Sequence, residues 1–317
     1  MRKHLLFALA TIVFAGCSTN TTQDLAPEAP TTPDELYVSF DDEDTRIQLG
    51  EDGRPVWTEG DLVSVFYRSN ANDKYQFTGK TGDVEGSIEL VEEGIATQET
   101  TKIIAIYPYN KDYGFDCKTY DIKAFLPAEQ TYCKNSYGVG SSIMIAQSDY
   151  KQLSFKNVCG WLKLQFTGKG YVSKIALQGN NGEQVAGRIY IHTQDATDSF
   201  AATCEDLYLV EGEWDDDENI GAPIAENPII TEVVLNCGGN IALNSETSTA
   251  FYIALPPQNF EQGITVTMYD ENGFTKRVST KNTITIKRNH ITPMASLDIE
   301  MPMVNNQMDY TDGGTMW

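Results

Sequence analysis

The residues that most often catalyse reactions or bind metals are scarce in this chain. Its 317 residues include 3 histidines, His4, His192 and His290, and the first lies in a segment that we expect to be removed. The sequence contains no Cys-x-x-Cys pair, no Gly-x-Ser-x-Gly turn, no phosphate-binding loop and no dinucleotide-binding glycine motif. We therefore expect a protein that is not an enzyme and that needs no cofactor.

One acidic run has part of the spacing of a calcium-binding loop. Asp215, Asp217 and Asn219 occupy positions one, three and five of that pattern, and Glu226 occupies its last position. Ile220 stands where such loops have glycine. A solvated acidic loop is the simpler interpretation, and these four residues remain a weak calcium candidate.

Aromatic residues are concentrated in one segment of the first half. They are Tyr107, Tyr109, Tyr113, Phe115 and Tyr120. Aromatic rings in loops stack on sugar faces or anchor a protein partner, whereas rings that pack over the edge of a sheet give the same pattern. Two hypotheses therefore stay open for this segment: a glycan-binding surface that uses the first four rings, and a packed sheet edge.

The N-terminus has the features of a secretory signal peptide at residues 1–16. A basic start precedes an apolar run, Leu5 to Ala15, that is shorter than the roughly 20 residues of a spanning helix. The run ends in Ala-Gly-Cys17, which resembles the lipobox of bacterial lipoproteins. That resemblance implies cleavage before Cys17 and acyl chains, palmitate among them, on Cys17. Residues 17–35, rich in Thr, Pro and acidic residues, are expected to form a flexible tether.

The amino-acid composition argues against nucleic acid as a partner and favours a globular protein. Acidic residues outnumber basic ones 45 to 23, which gives a net charge of −22, and a chain this acidic is a poor ligand for nucleic acid. Hydrophobic residues make up 41% of the sequence, which is typical of a globular protein. The length suggests two domains.

Short segments in which apolar and polar residues alternate recur along the body of the chain. They lie at 36–40, 62–67, 74–79, 86–91, 102–108, 120–127, 142–148, 161–166, 172–178, 187–192, 229–236, 250–256, 264–270, 283–288 and 294–301. This alternation is typical of half-buried strands, and no long segment keeps a helical period. The pattern predicts an all-β protein of two tandem antiparallel β-sandwich domains, at 36–157 and 158–300, followed by a polar tail at 301–317.

Beyond Cys17 the chain has an odd number of cysteines. They are Cys117, Cys133, Cys159, Cys204 and Cys237. Cys117 and Cys133 bracket one predicted strand and could form a disulfide in an oxidising compartment. The alternative is that most of the five are buried as small hydrophobic residues.

The order of these segments resembles that of the fimbrillin-like lipoproteins, the type V pilin family of Gram-negative anaerobes. The segments that carry the resemblance are LYVSFDDEDTR, PVWTEGDLVSVFY, IIAIYPY, LPAEQTY, LSFKNVCGWLKLQF and FYIALPPQNFEQGITVTMYDENG. The resemblance implies sandwich domains of transthyretin-like topology. It also implies delivery to the outer membrane by a lipid anchor, a place on the cell surface or in a fimbrium, and other fimbrial subunits or a surface ligand as partners.

The resemblance further implies assembly by strand exchange. In polymerising members a protease cuts after an arginine near the first strand, and the terminal strand of a neighbouring subunit fills the groove that opens. Arg46 stands at the matching position. The alternating residues Ala295, Leu297, Ile299 and Met301 could form the last strand of the body or extend into such a donor strand.

Overall fold

The computed structural model describes residues 32–40, 56–138, 140–141, 143–192, 207–209, 230–301 and 315–316. These residues form strands, turns and loops and contain no helix, which confirms the predicted all-β class. No helix in the described ranges is long and apolar enough to cross a membrane.

The strands are short and are separated by tight turns. The first half contains β1 (Glu35–Phe40), β2 (Leu62–Ser69), β3 (Asp73–Phe77), β4 (Glu85–Glu92), β5 (Glu99–Tyr107), β6 (Gly114–Phe115), β7 (Asp121–Leu126), β8 (Glu129–Cys133), β9 (Ser136–Tyr137), β10 (Met144–Ser148) and β11 (Gln152–Asn157). The second half contains β12 (Gly160–Lys169), β13 (Tyr171–Gly179), β14 (Gly187–His192), β15 (Leu207–Leu209), β16 (Glu232–Ala242), β17 (Thr249–Leu255), β18 (Gln258–Phe260), β19 (Ile264–Tyr269), β20 (Thr275–Ser279), β21 (Ile284–Ile286), β22 (Ile291–Pro293), β23 (Leu297–Glu300) and β24 (Thr315–Met316).

Seven strands of the first half form a closed barrel in the order β1, β11, β10, β5, β2, β3, β4. All neighbours in this ring are antiparallel except β1 and β11, which are parallel. The ring is therefore antiparallel apart from this one pair. An odd number of strands cannot alternate in direction around a closed ring, so at least one pair must be parallel.

The remaining strands form sheets that combine early and late segments of the chain. One sheet has the order β17, β12, β22, with β23 also paired to β12, and another runs β24, β20, β19, β13, β16, β8, β9. A third has the order β15, β14, β7, β6, and β18 pairs with β21. Strands β7 and β8 thus pair with β14 and β16, beyond the predicted boundary near residues 156–160. The tandem sandwich and its transthyretin-like topology stay predictions.

The apolar side chains form three clusters. One fills the barrel, another lies between the sheets of the second half, and a middle cluster contains residues from both halves. Phe66 and Ile104 of the barrel meet Trp161 and Ile189 of the later sheets in the middle cluster. This explains why β2 and β5 are apolar over several consecutive residues, since both of their faces are covered.

The cysteines behave as small apolar residues. The thiols of Cys117 and Cys133 are free, so the disulfide suggested by their spacing is not formed. Cys117 and Cys159 lie in the middle cluster, and Cys237 lies in the cluster of the second half. Burial raises the pKa of the Cys117 thiol to about 11 and that of Cys237 to about 12, so both stay protonated near neutral pH. Cys204 lies outside the described residues.

The side chain of Gln130 forms hydrogen bonds with the backbone at the free edge of β17. The amide of Gln130, only 3% exposed, donates to the carbonyl of Ala254 at 2.8 Å and accepts from its backbone N–H at 2.9 Å. Ala254 lies in β17, which has a strand neighbour in β12. Gln130 therefore takes the place of a further strand at the other edge of β17.

We expect Gln130→Ala to lower the free energy of unfolding by about 2–4 kcal/mol, because it leaves two buried backbone groups without partners. Chemical denaturation measures this change. Gln152→Ala, at an exposed position of β11, is the matched control and should change the free energy little. A loss no larger than that of the control would contradict this role of Gln130.

Candidate functional site

Strand β1 closes the barrel, and its inward side chains are almost completely buried. Leu36 is 1% exposed and Val38 is 0% exposed. Val38 lies opposite Gly86 of β4 on one side and opposite Leu153 of β11 on the other. The alternation seen in the sequence thus places a strand with one apolar face between β4 and β11, which do not pair directly with each other in the described part of the chain.

Further contacts fix the start of β1. The hydroxyl of Tyr75 donates to the carbonyl of Pro33 at 2.6 Å, and the backbone N–H of Leu90 donates to the carbonyl of Asp34 at 2.9 Å. The backbone N–H of Tyr37 donates to the carbonyl of Lys151 at 2.9 Å. Strand β1 is therefore held at both of its edges.

Trp57 is buried in the barrel core at the end of the barrel where β1 finishes. It is 0% exposed, and its indole stacks on Phe40 at 4.6 Å between ring centroids and on Phe77 at 5.2 Å. Tyr107 and Phe155 meet it edge-on at 5.2 and 5.5 Å. Offset-stacked and edge-on rings attract each other beyond the effect of burial alone. The end of β1 is therefore attached to the rest of the barrel through aromatic contacts.

A tight turn at residues 57–61 positions this indole. The carboxylate of Asp61 accepts from the backbone N–H of Thr58 at 2.8 Å, and the N–H of Asp61 donates to the carbonyl of Thr58 at 2.9 Å. Gly60 has a φ of 87°, which glycine adopts without strain. Burial raises the pKa of Asp61, while hydrogen bonds from Thr58 and Tyr107 oppose the rise. The motif Trp-Thr-Glu-Gly-Asp is thus a turn that holds a core tryptophan.

The outer face of β1 is polar and lies beside carboxylates of β4. Glu35 stands directly opposite Glu89, and Ser39 stands opposite Glu85. Tyr37, which lies between Glu35 and Ser39 on β1 and is 37% exposed, donates a hydrogen bond to the carboxylate of Glu85. Like charges directly opposite each other on neighbouring strands are destabilising, but the hydroxyl of Ser87 donates to the carboxylate of Glu35 at 2.5 Å. The outer face therefore combines one repulsive pair with two exposed hydrogen bonds.

The aromatic residues predicted to form a glycan-binding surface do not share one exposed face. Tyr113 and Phe115 are 7% and 4% exposed and belong to the middle cluster, where Tyr113 stacks on Phe125. Tyr107 packs on Trp57, and Tyr109 lies below the ammonium group of Lys74 at 5.1 Å. Burial raises the pKa of the Tyr113 hydroxyl. The packed-edge hypothesis describes these rings better, because a buried ring has no face left for a sugar.

The segment predicted to be either a last strand or a donor lies in the body of the protein. Leu297 and Ile299 belong to β23, which pairs in parallel with Phe166–Lys169 of β12. Ile299 and Met301 are each 1% exposed in the cluster of the second half, while Ala295 lies at an exposed position before the strand. A role as donor strand stays a prediction.

Several predicted site residues lie outside the described residues. They are Cys17, Arg46, Asp215, Asp217, Asn219 and Glu226. Within the described ranges, no group of three or more His, Cys, Asp or Glu side chains could hold a metal ion. The sequence analysis did not predict that Trp57 would be the residue on which the aromatic rings around β1 pack. Its motif was visible in the sequence, but only packing shows which rings meet there.

Comparisons with known proteins give similarities of structure only. No protein-family model matches the chain, and no curated protein matches it in sequence. A proposed cell adhesion protein from Bacteroides ovatus is similar with a TM-score of 0.48 and 15% identity, over 86% of this chain and 95% of that one. A fimbrial anchor protein from Porphyromonas gingivalis has a TM-score of 0.31 and 9% identity, over 80% of this chain and 81% of that one. A fimbrial protein from Bacteroides ovatus has a TM-score of 0.34 and 11% identity, over 85% of this chain and 50% of that one.

We expect Trp57→Ala to lower the free energy of unfolding by about 3–5 kcal/mol, because it leaves a cavity among four aromatic rings. Tyr150→Ala, at a position 78% exposed, removes a ring of similar kind and should change the free energy little. Denaturant titration of both variants makes the comparison. Equal losses would show that the indole is not central to the barrel.

Proposed function

We propose that this chain is a non-enzymatic, lipid-anchored surface protein that serves as a fimbrial subunit or a fimbrillin-like adhesin. We further propose that β1 can be exchanged for a strand of a partner after cleavage near Arg46. The observation that carries this proposal is the position of β1, which alone joins β4 to β11 and so completes the barrel. The segment that contains Arg46 follows it directly in the sequence.

Loss of β1 would create a site for another strand. Leu36, Val38 and Phe40 would leave a groove, and burying three such side chains contributes about 5–9 kcal/mol at 1.5–3 kcal/mol each. The backbone groups of β4 and β11 that pair with β1 would lose their partners at the same time. An open sheet edge on each side of an apolar groove is a template for an incoming strand.

The anchor part of the proposal rests on the N-terminal sequence. Acylation of Cys17 would attach the chain to the outer membrane, with residues 17–35 as a tether between the lipid and the body. A cut after Arg46 would separate the body from Cys17 except for the pairing of β1. Exchange of β1 would then release the body from its own anchor and join it to a partner in one step.

We expect an arginine-specific protease to cut the folded protein first after Arg46, with a new N-terminus at Ile47. Arg188 lies in β14, and the Nε of Arg288 donates to the carbonyl of Asn157 at 2.6 Å, so both should resist cleavage. Limited proteolysis with N-terminal sequencing checks the order of cleavage.

The matched control for this cut is Arg46→Gln, which keeps the length and polarity of the segment. It should remove the early fragment and leave the slower cuts unchanged. If the native protein gives no terminus at Ile47, the exchange scheme fails and the proposal reduces to a lipid-anchored surface protein.

We expect Cys17→Ser to abolish membrane anchoring, because serine lacks the thiol to which the lipid is attached. The variant should stay unprocessed or appear in the soluble fraction. Fractionation of cells with labelling by a palmitate analogue measures both effects, and Cys133→Ser controls for the loss of a cysteine elsewhere. A Cys17→Ser protein that is still labelled and fractionates with the outer membrane would overturn the anchor.

A further inference from the structure

We infer that the site vacated by β1 selects an extended strand that has a basic residue at its first position and an aromatic residue at its sixth. Position one corresponds to Glu35 and position six to Phe40. This inference rests on the proposed exchange of β1 and names the partner of that same site. Strand β23 of a second copy does not meet these requirements.

The aromatic preference follows from the surroundings of Phe40. Its ring stacks on Trp57 with 18° between the planes, and Phe155 stands opposite it on β11. When β1 leaves, the face of the Trp57 indole that stacks on Phe40 becomes exposed. It then lines the end of the groove at position six. Phe40 is only half-buried, so a larger ring also fits at this position. An aromatic side chain restores the stack, and an aliphatic side chain does not.

The two middle positions are less selective. Leu36 and Val38 are buried against the barrel interior, and they face Ile88 and Gly86 on β4. Any aliphatic side chain of similar volume fills such positions, because core sites tolerate swaps that conserve volume. Discrimination among strands therefore depends on the two ends of the site.

The basic preference follows from the carboxylates beside the outer face. Glu35 faces Glu89 across the strand pair, and Glu85 lies farther along the same edge of β4. The resident strand thus places a negative charge next to a negative edge. An incoming lysine or arginine at position one loses the exposed hydrogen bond that the Ser87 hydroxyl donates to Glu35, and it replaces a repulsive pair with an attractive one. We expect the change of charge to outweigh that hydrogen bond, so that a basic strand binds this site more tightly than β1 itself does.

Strand β23 is a poor match for these requirements. Aligning Leu297, Ile299 and Met301 with the three inward positions puts a methionine where the aromatic ring is needed. The same alignment puts Glu300 opposite Glu85, which adds a repulsive pair. Ile299 and Met301 are also buried in their own domain core, so withdrawing β23 would expose them. Strand β23 of a second copy is therefore disfavoured as the incoming strand.

The test uses the full chain with residues 44–49 replaced by the recognition site of a sequence-specific protease. Cutting there does not depend on Arg46, so the selectivity of the groove is measured separately from natural processing. The cut protein is mixed with a fluorescent peptide of residues 33–40, and unlabelled peptides compete for the site. The competitors are the same peptide, its Glu35→Lys, Phe40→Trp and Phe40→Ala forms, and a peptide of residues 294–301.

We expect the Glu35→Lys peptide to compete about threefold more tightly than the native peptide at low salt. The Phe40→Trp peptide should compete at least as well as the native one, and Phe40→Ala about tenfold more weakly. The 294–301 peptide should also be about tenfold weaker or worse. Raising the salt to about 0.5 M should remove the advantage of lysine, because exposed charges are then screened.

A protein variant separates this explanation from a general effect of peptide charge. Glu89→Gln, at an exposed position of β4, leaves the groove intact and should abolish the preference for lysine while leaving the preference for phenylalanine. Equal competition by all peptides, or an unchanged lysine preference in Glu89→Gln, would overturn this inference alone. If no peptide displaces β1 in the cut protein, the exchange of β1 and this inference both fail.

Discussion

The packing of Trp57 inside the barrel is the interaction on which the rest of the first half depends. The four rings that meet it come from strands β1, β3, β5 and β11, which are far apart in the sequence. The same side chains therefore fill the barrel core and connect four of the strands that form its ring. The turn at residues 57–61 matters because it places the indole at that meeting point.

The same arrangement gives β1 two opposite properties. The side chains on its inner face are buried in the barrel core. Its outer face places Glu35 opposite Glu89 of β4. The inner face therefore provides the packing that holds β1 in place, and the outer face provides one repulsive pair beside its hydrogen bonds. The parallel pairing of β1 with β11 follows from closing a ring of seven strands.

The middle cluster explains why the two halves of the chain constrain each other. Strands β7 and β8 leave the first half to pair with β14 and β16, and the side chain of Gln130 takes the place of a strand beside β17. Apolar residues from both halves then fill the space between the barrel and the later sheets. Rearrangement at β1 can therefore leave the second half in place, because β1 contributes nothing to this cluster.

Alternation with a period of two is enough to predict the all-β class, most of the strands and the inward face of β1, because it specifies which side chains share a face. The segments at 36–40 and 187–192 coincide closely with β1 and β14. Strands β8 and β20 are among those that the alternation does not predict, since each is short and has few apolar residues. The folded structure was needed to show which strands lie beside β1, that Tyr113 and Phe115 are buried, and that Ile299 and Met301 belong to the body. Alternation shows which side chains share one face of a strand, but it does not show which strand lies beside it. An aromatic residue also looks the same in the sequence whether it binds a ligand or packs in a core. Those choices depend on contacts between residues that are distant along the chain, which no local pattern encodes.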